Sequence, residues 1–139
     1  MTAREIKIKH EECSAAIDYL KKATDNYEQM LAAIQGDNCN AAATLAVQCA
    51  ISSADAICVS EKGVRSISQD HFDVCDLVSS LPLEEAKEKS KLLRKIVSKK
   101  NLVQYERRNI YKDEALEMVK ITTRFYQWVK SYLIENHKI

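Results

Sequence analysis

NCNAAATLAVQCAISSADAICVSEKG, residues 38–63, decides the fold. The stretch is built mostly from Ala, Ser, Cys and Thr, it lacks internal Gly and Pro, and it reads as one long helix. Asp37 or Asn38 supplies the N-cap oxygen, and Gly63 the left-handed residue after the last turn. Leu45, Cys49, Ser53, Ile57 and Val59 form one apolar stripe, while Ala42, Ala46, Ala50, Ala54 and Cys58 fill a second face with very small side chains. A helix that is small and apolar on several faces is expected to sit among other helices. Asp55 breaks the pattern: a carboxylate at an interior position must be paired, hydrogen-bonded or turned to a cleft.

The rest of the chain agrees with an all-α fold. With 139 residues it is long enough for one domain with one core, and two Gly and one Pro leave little punctuation for short strands. We expect a single domain over residues 1–139, an up-and-down bundle of four to five helices. The first helix is expected from Lys7 or His10 to Ile34, on a seam of Cys13, Ala16, Leu20, Ala23, Tyr27, Met30 and Ile34. Gln35-Gly36-Asp37 ends it, and so short a connection makes the first two helices antiparallel. A short third helix carries Phe72, Cys75, Leu77 and Val78 with Ser68 as its N-cap. Pro82 suits the first turn of a fourth, which continues to Asn101. The last helix runs from near Asp113 towards Ile134 and carries two seams, one through Ala115, Val119, Thr122, Tyr126, Val129 and Leu133, the other through Met118, Ile121, Phe125, Trp128 and Tyr132. An apolar face of that width is expected to meet a second copy of the chain, with Trp128 at a homodimer interface.

Five cysteines without a CxxC spacing read as reduced core residues, and the scattered His10, His71 and His137 give no metal-ligand spacing. No metal or other cofactor is expected. No run approaches transmembrane length, and MTAREIKIKHEEC carries no signal-type apolar segment, so a cytoplasmic protein without membrane contact is expected.

Net charge is +1, and whole-molecule charge makes no case for nucleic acid. Local charge does. Between residues 84 and 112 there are ten basic residues against four acidic ones, a local excess of +6, with −5 over the remainder. Such an asymmetry is what a phosphate-binding surface requires; a solvated lysine-rich helix face has the same composition. Lys99, Lys100, Arg107 and Arg108 are the candidate phosphate contacts, with Asn101 and Tyr105 beside them.

The order of elements carries a resemblance. An Ala-rich second helix ending ADAICVSEKG, QDH at the start of a short helix, then SKKNLVQYERR before a last helix with RFYQWVKSYL, is similar to the HEPN superfamily of small helical nucleotide-binding and RNA-cleaving domains, over residues 10 to 135. The family's ribonucleases carry Arg, a polar residue, a variable spacer and His. Here Lys100-Asn101-Leu102-Val103-Gln104-Tyr105 places Lys at the Arg position and Tyr at the His position. Tyr, with a pKa near 10, is a poor general base at pH 7, and Lys holds phosphate as a point charge rather than a fork. The resemblance thus implies binding of RNA or a nucleotide in a basic cleft at a dimer interface, without efficient catalysis. Two alternatives follow from it: a metal-independent endoribonuclease toxin of a toxin and antitoxin pair, or an interaction module for a nucleotidyltransferase-like antitoxin.

Three side chains have two readings each. Tyr105 is either part of the site or a core or interface tyrosine. His71 supplies a titrating group if the bundle brings it near Lys100, or is a local capping or surface residue. Asp55 lines the cleft, or pairs with a base from the fourth helix.

Overall fold

The computed structural model describes residues 5–138. The first four residues, where the leader reading begins, and Ile139 lie outside the described residues. Among the described residues the chain forms a helical bundle of six α-helices, the fifth of only six residues, with one small antiparallel strand pair.

The stretch quoted above is α2, Cys39–Lys62, and the others pack on it. From Ser53 to Ser60 every side chain is buried, so this half of the helix is enclosed on all sides. Small side chains allow that, because neighbouring backbones can approach closely without leaving voids. Gly63 ends the helix at φ 64°, its N–H donating to the Val59 carbonyl at 2.9 Å. A Cβ here would also come within 3.0 Å of the Glu11 carbonyl oxygen. The other end differs from expectation: Asn38 holds the N-cap position but its side chain makes no capping hydrogen bond. Asp37, at φ 59°, pairs instead with Lys112 at 3.0 Å. By length and a hydropathy of 1.5, α2 would suffice to cross a membrane, against the expectation that no run approaches that length. Its residues are mostly covered by the surrounding helices.

The first helix starts later than the seam implies. Ile8–His10 is a strand, β1, paired antiparallel with β2, Val64–Ser66, in the register Ile8 to Ser66, Lys9 to Arg65 and His10 to Val64. Backbone bonds from Glu11 N–H to Gly63 O (2.8 Å) and Ile67 N–H to Lys7 O (3.0 Å) extend the ladder. A 3₁₀ turn at Cys13–Ala15 then leads into α1, Ala16–Gln35. The cause is legible afterwards: Ile6-Lys7-Ile8-Lys9 alternates with period two, and the turn at Gly63 returns the chain beside it. Since β1 precedes α1 and β2 follows α2, their pairing makes α1 and α2 antiparallel, as expected.

Helix α3 is Phe72–Ser79 and α4 is Ala86–Val97. Ser68 lies outside α3, and Pro82 lies four residues before α4 rather than in its first turn. The fourth helix does not continue to Asn101. It breaks at Ser98 and Lys99, and Lys100–Tyr105 forms the short α5. Helix α6, Lys112–Glu135, packs on α2, α1 and α4.

The first seam of α6 is covered within one chain, and so are Met118, Ile121 and Phe125 of the second, while Trp128 and Tyr132 stay half-buried. Thr122 Oγ donates to the Ala46 carbonyl at 3.4 Å, Tyr126 stacks on Tyr27 at 4.4 Å, and Phe125 is fully buried against a half-buried Trp128 at 5.8 Å. Most of the double width is thus taken up by neighbours inside the bundle. All five cysteines are free thiols; burial pushes those of Cys49 and Cys75 up to about 12.

Candidate functional site

Gly63 turns the chain out of α2 into β2, and residues 66–72 are then wound tightly by their own short side chains. Ser66 Oγ accepts from the Ser68 N–H (3.3 Å), Ser68 Oγ from the Asp70 N–H (3.2 Å), and Asp70 Oδ1 from the Phe72 N–H (2.9 Å). Asp70, not Ser68, therefore satisfies the first turn of α3. The winding leaves His71 at the N-cap position.

His71 faces α5. The hollow between them, about 280 Å³, is lined by Gln69, Asp70, His71 and Phe72 on one side and by Val97, Ser98, Lys100, Asn101 and Tyr105 on the other. Leu102 and Val103 pack α5 onto the core, and the polar residues before and after them stay at the rim. Burial first, then the charge of Lys100, lowers the His71 pKa, so the imidazole is neutral at pH 7. Tyr105 is 76% exposed and so is not a core residue. Lys100 makes no ion pair with any described residue.

A second hollow, about 310 Å³, shares His71 and extends towards β2. Asp55 and Arg65 line it together with Ile51, Ser66, Ile67, Ser68 and Val74. Asp55 is 4% exposed, and its Oδ2 accepts from Arg65 Nη2 at 3.3 Å. Burial raises the Asp55 pKa to about 6 against the opposing pull of Arg65. The Arg65 guanidinium also lies over the Tyr19 ring, at 5.1 Å. Tyr19 itself is pushed up to about 12 by burial and by its hydrogen bond to Glu11.

Of the expected site residues, the fold thus unites Lys100, Asn101, Tyr105 and His71, with Asp55 across His71. It separates the others. Lys99 lines a different hollow, opposite Asp113, Glu114 and Glu117. Arg108 forks onto both oxygens of Glu114 at 2.8 Å each, holding that carboxyl down to about 2, and Glu114 in turn accepts the Tyr111 N–H that opens α6. Its role is to cap and brace α6. Arg107 stands exposed in the loop before α6. Arg94 pairs with Asp76 at 2.7 Å and Lys112 with Asp37, so part of the local positive excess is neutralised where it stands. Asp55 pairs with a strand residue, not with a base from the fourth helix.

Sequence reasoning missed Arg65, although a buried carboxylate demands a cation and the turn at Gly63 brings this one back. It also missed Asn40, whose amide accepts the Ile110 N–H at 2.8 Å and donates to Asn109 at 3.0 Å, tying the loop after α5 to α2. Exposed asparagines in helices give no such signal.

Chemically, the first hollow offers a cation, an amide, a neutral imidazole and an exposed aromatic ring. Among the described residues no group of three or more His, Cys, Asp or Glu side chains is arranged to hold a metal ion. No family model, curated protein or solved structure matches this chain. The HEPN resemblance accordingly rests on the order and spacing of its motifs.

Proposed function

We propose that the hollow between residues 69–72 and α5 binds a phosphate-bearing ligand, RNA or a nucleotide. The observation that carries this reading is the meeting of Lys100, Asn101, Tyr105 and His71 around one cavity. Lys100 supplies the counter-charge and Asn101 a neutral hydrogen-bonding group. Tyr105, exposed at the rim, offers a face on which a base stacks. The groove is built from one chain, so the reading needs no dimer.

Fluorescence anisotropy with a single-stranded oligoribonucleotide tests it. Lys100→Ala should weaken binding and flatten the slope of log affinity against log salt by about 0.7, the loss of one phosphate contact on a single strand. Lys99→Ala, facing acidic side chains, should change the slope much less. Tyr105→Ala should cost on the order of tenfold, while Tyr105→Phe, which keeps the ring, should bind within about twofold of wild type. Lack of RNA or nucleotide binding at low salt would refute the proposal.

One observation favours the endoribonuclease alternative. A neutral imidazole beside a lysine can take the proton of a ribose 2′-hydroxyl while the 2′-oxygen attacks the phosphorus. The bond to the 5′-oxygen breaks, that oxygen takes a proton from solvent, and a 2′,3′-cyclic phosphate remains. Metal-independent cleavage abolished by His71→Ala would select this reading over binding alone.

A further inference from the structure

The Asp55 hollow is not needed to hold a phosphate. Its acidic group would repel one, and its cation already faces that carboxylate. Its composition suits something flat, partly apolar and rich in N–H donors. Ile51, Ile67 and Val74 give branched aliphatic walls, and Ile67 is 53% exposed beside the cavity. Among the described residues, Asp55 accepts a single long hydrogen bond, from Arg65 Nη2 at 3.3 Å. A carboxylate has room for several more, and a buried one gains most from filling them. At about 310 Å³ the hollow lies at the small end of the range for small-molecule sites.

We propose that this second hollow is a base-recognition subsite selective for guanine, with the Asp55 carboxylate accepting the N1–H and 2-amino donors of the base edge. Guanine alone of the common bases presents two adjacent donors there. Adenine and cytosine set a ring-nitrogen acceptor against the carboxylate, and uracil flanks its one N–H with carbonyl oxygens. Because His71 borders both hollows, a single nucleotide can span them, its base against Asp55 and its phosphate towards Lys100. The inference rests on the phosphate-binding reading above and adds the identity of the base.

The test is isothermal titration of the wild-type protein at pH 8 with the 5′-monophosphates of guanosine, inosine and adenosine, repeated with Asp55→Asn. Inosine monophosphate lacks only the 2-amino group and should bind on the order of tenfold more weakly than guanosine monophosphate; adenosine monophosphate, meeting acceptor with acceptor, should lose about a hundredfold. In Asp55→Asn the preference should largely disappear. The wild-type series decides the matter even if the variant does not fold. Equal affinity for all three nucleotides, weakened by Lys100→Ala, would overturn the guanine subsite and leave the phosphate reading standing. Absence of binding by any of them would overturn both.

Discussion

Phe125→Ala should lower the stability of the fold by about 3–5 kcal/mol, the largest loss expected from a single truncation here. Phe125 is the largest fully buried side chain. It lies on α6, which packs on α2, and the buried side of α2 is rich in alanine and other small side chains. Alanines cannot swing into a void, and a helix packed on by several neighbours cannot easily shift to close one, so most of the cavity should remain. Trp128→Ala removes a bulkier ring that is only half buried, and should cost distinctly less. Urea unfolding with an unchanged m-value measures both. A Trp128→Ala loss equal to that of Phe125→Ala would mean that Trp128 is covered in solution by something beyond its own chain, as the dimer expected from the sequence would require.

The second large effect is a dependence of stability on pH that belongs to Asp55. A carboxyl raised from 3.8 to about 6 binds its proton more tightly in the native protein than in the unfolded chain. Its favourable contribution is therefore complete below about pH 4 and is lost as pH rises to about 6. The loss amounts to about 3 kcal/mol at about 1.4 kcal/mol per tenfold in affinity. Asn resembles the protonated form, so Asp55→Asn should gain on wild type by about that amount between pH 4 and pH 7.5. His71 works in the opposite direction, since its lowered pKa makes charging costly as pH falls below 6.5. It is common to both proteins and cancels in their difference. Denaturant unfolding at the two pH values provides the measurement; a difference that does not change with pH would show that Asp55 is not held as described.

The long elements were legible because their periodicity is strong. The small-residue helix, the Gly63 stop and both seams of α6 follow from side-chain size and spacing alone. What escaped were features set by partners distant in sequence. The strand pair depends on Gly63 folding the chain back beside Ile8, and four residues of alternation are too few to outweigh a seam that runs on to Ile34. The break at Ser98 has no glycine or proline to announce it; α5 separates because Leu102 and Val103 turn to the core in a new register. In the site, Lys100, Asn101 and Tyr105 were close together in sequence and stayed together. His71 joined them only through the winding of residues 66–72. Lys99 and Lys100 are adjacent in sequence yet face different hollows, which no count of charge could foresee.

The central claim, that the hollow of His71, Lys100, Asn101 and Tyr105 is a ligand site, is tested most directly by nuclear magnetic resonance. A labelled sample titrated at low salt with a mixed-sequence single-stranded oligoribonucleotide should show the His71 ring and the amides of residues 98–105 shifting together, saturably, with little change along the lysines at 87, 89 and 91. Shifts confined to those lysines, with His71 unmoved, would contradict the account and leave the basic stretch as a solvated helix face.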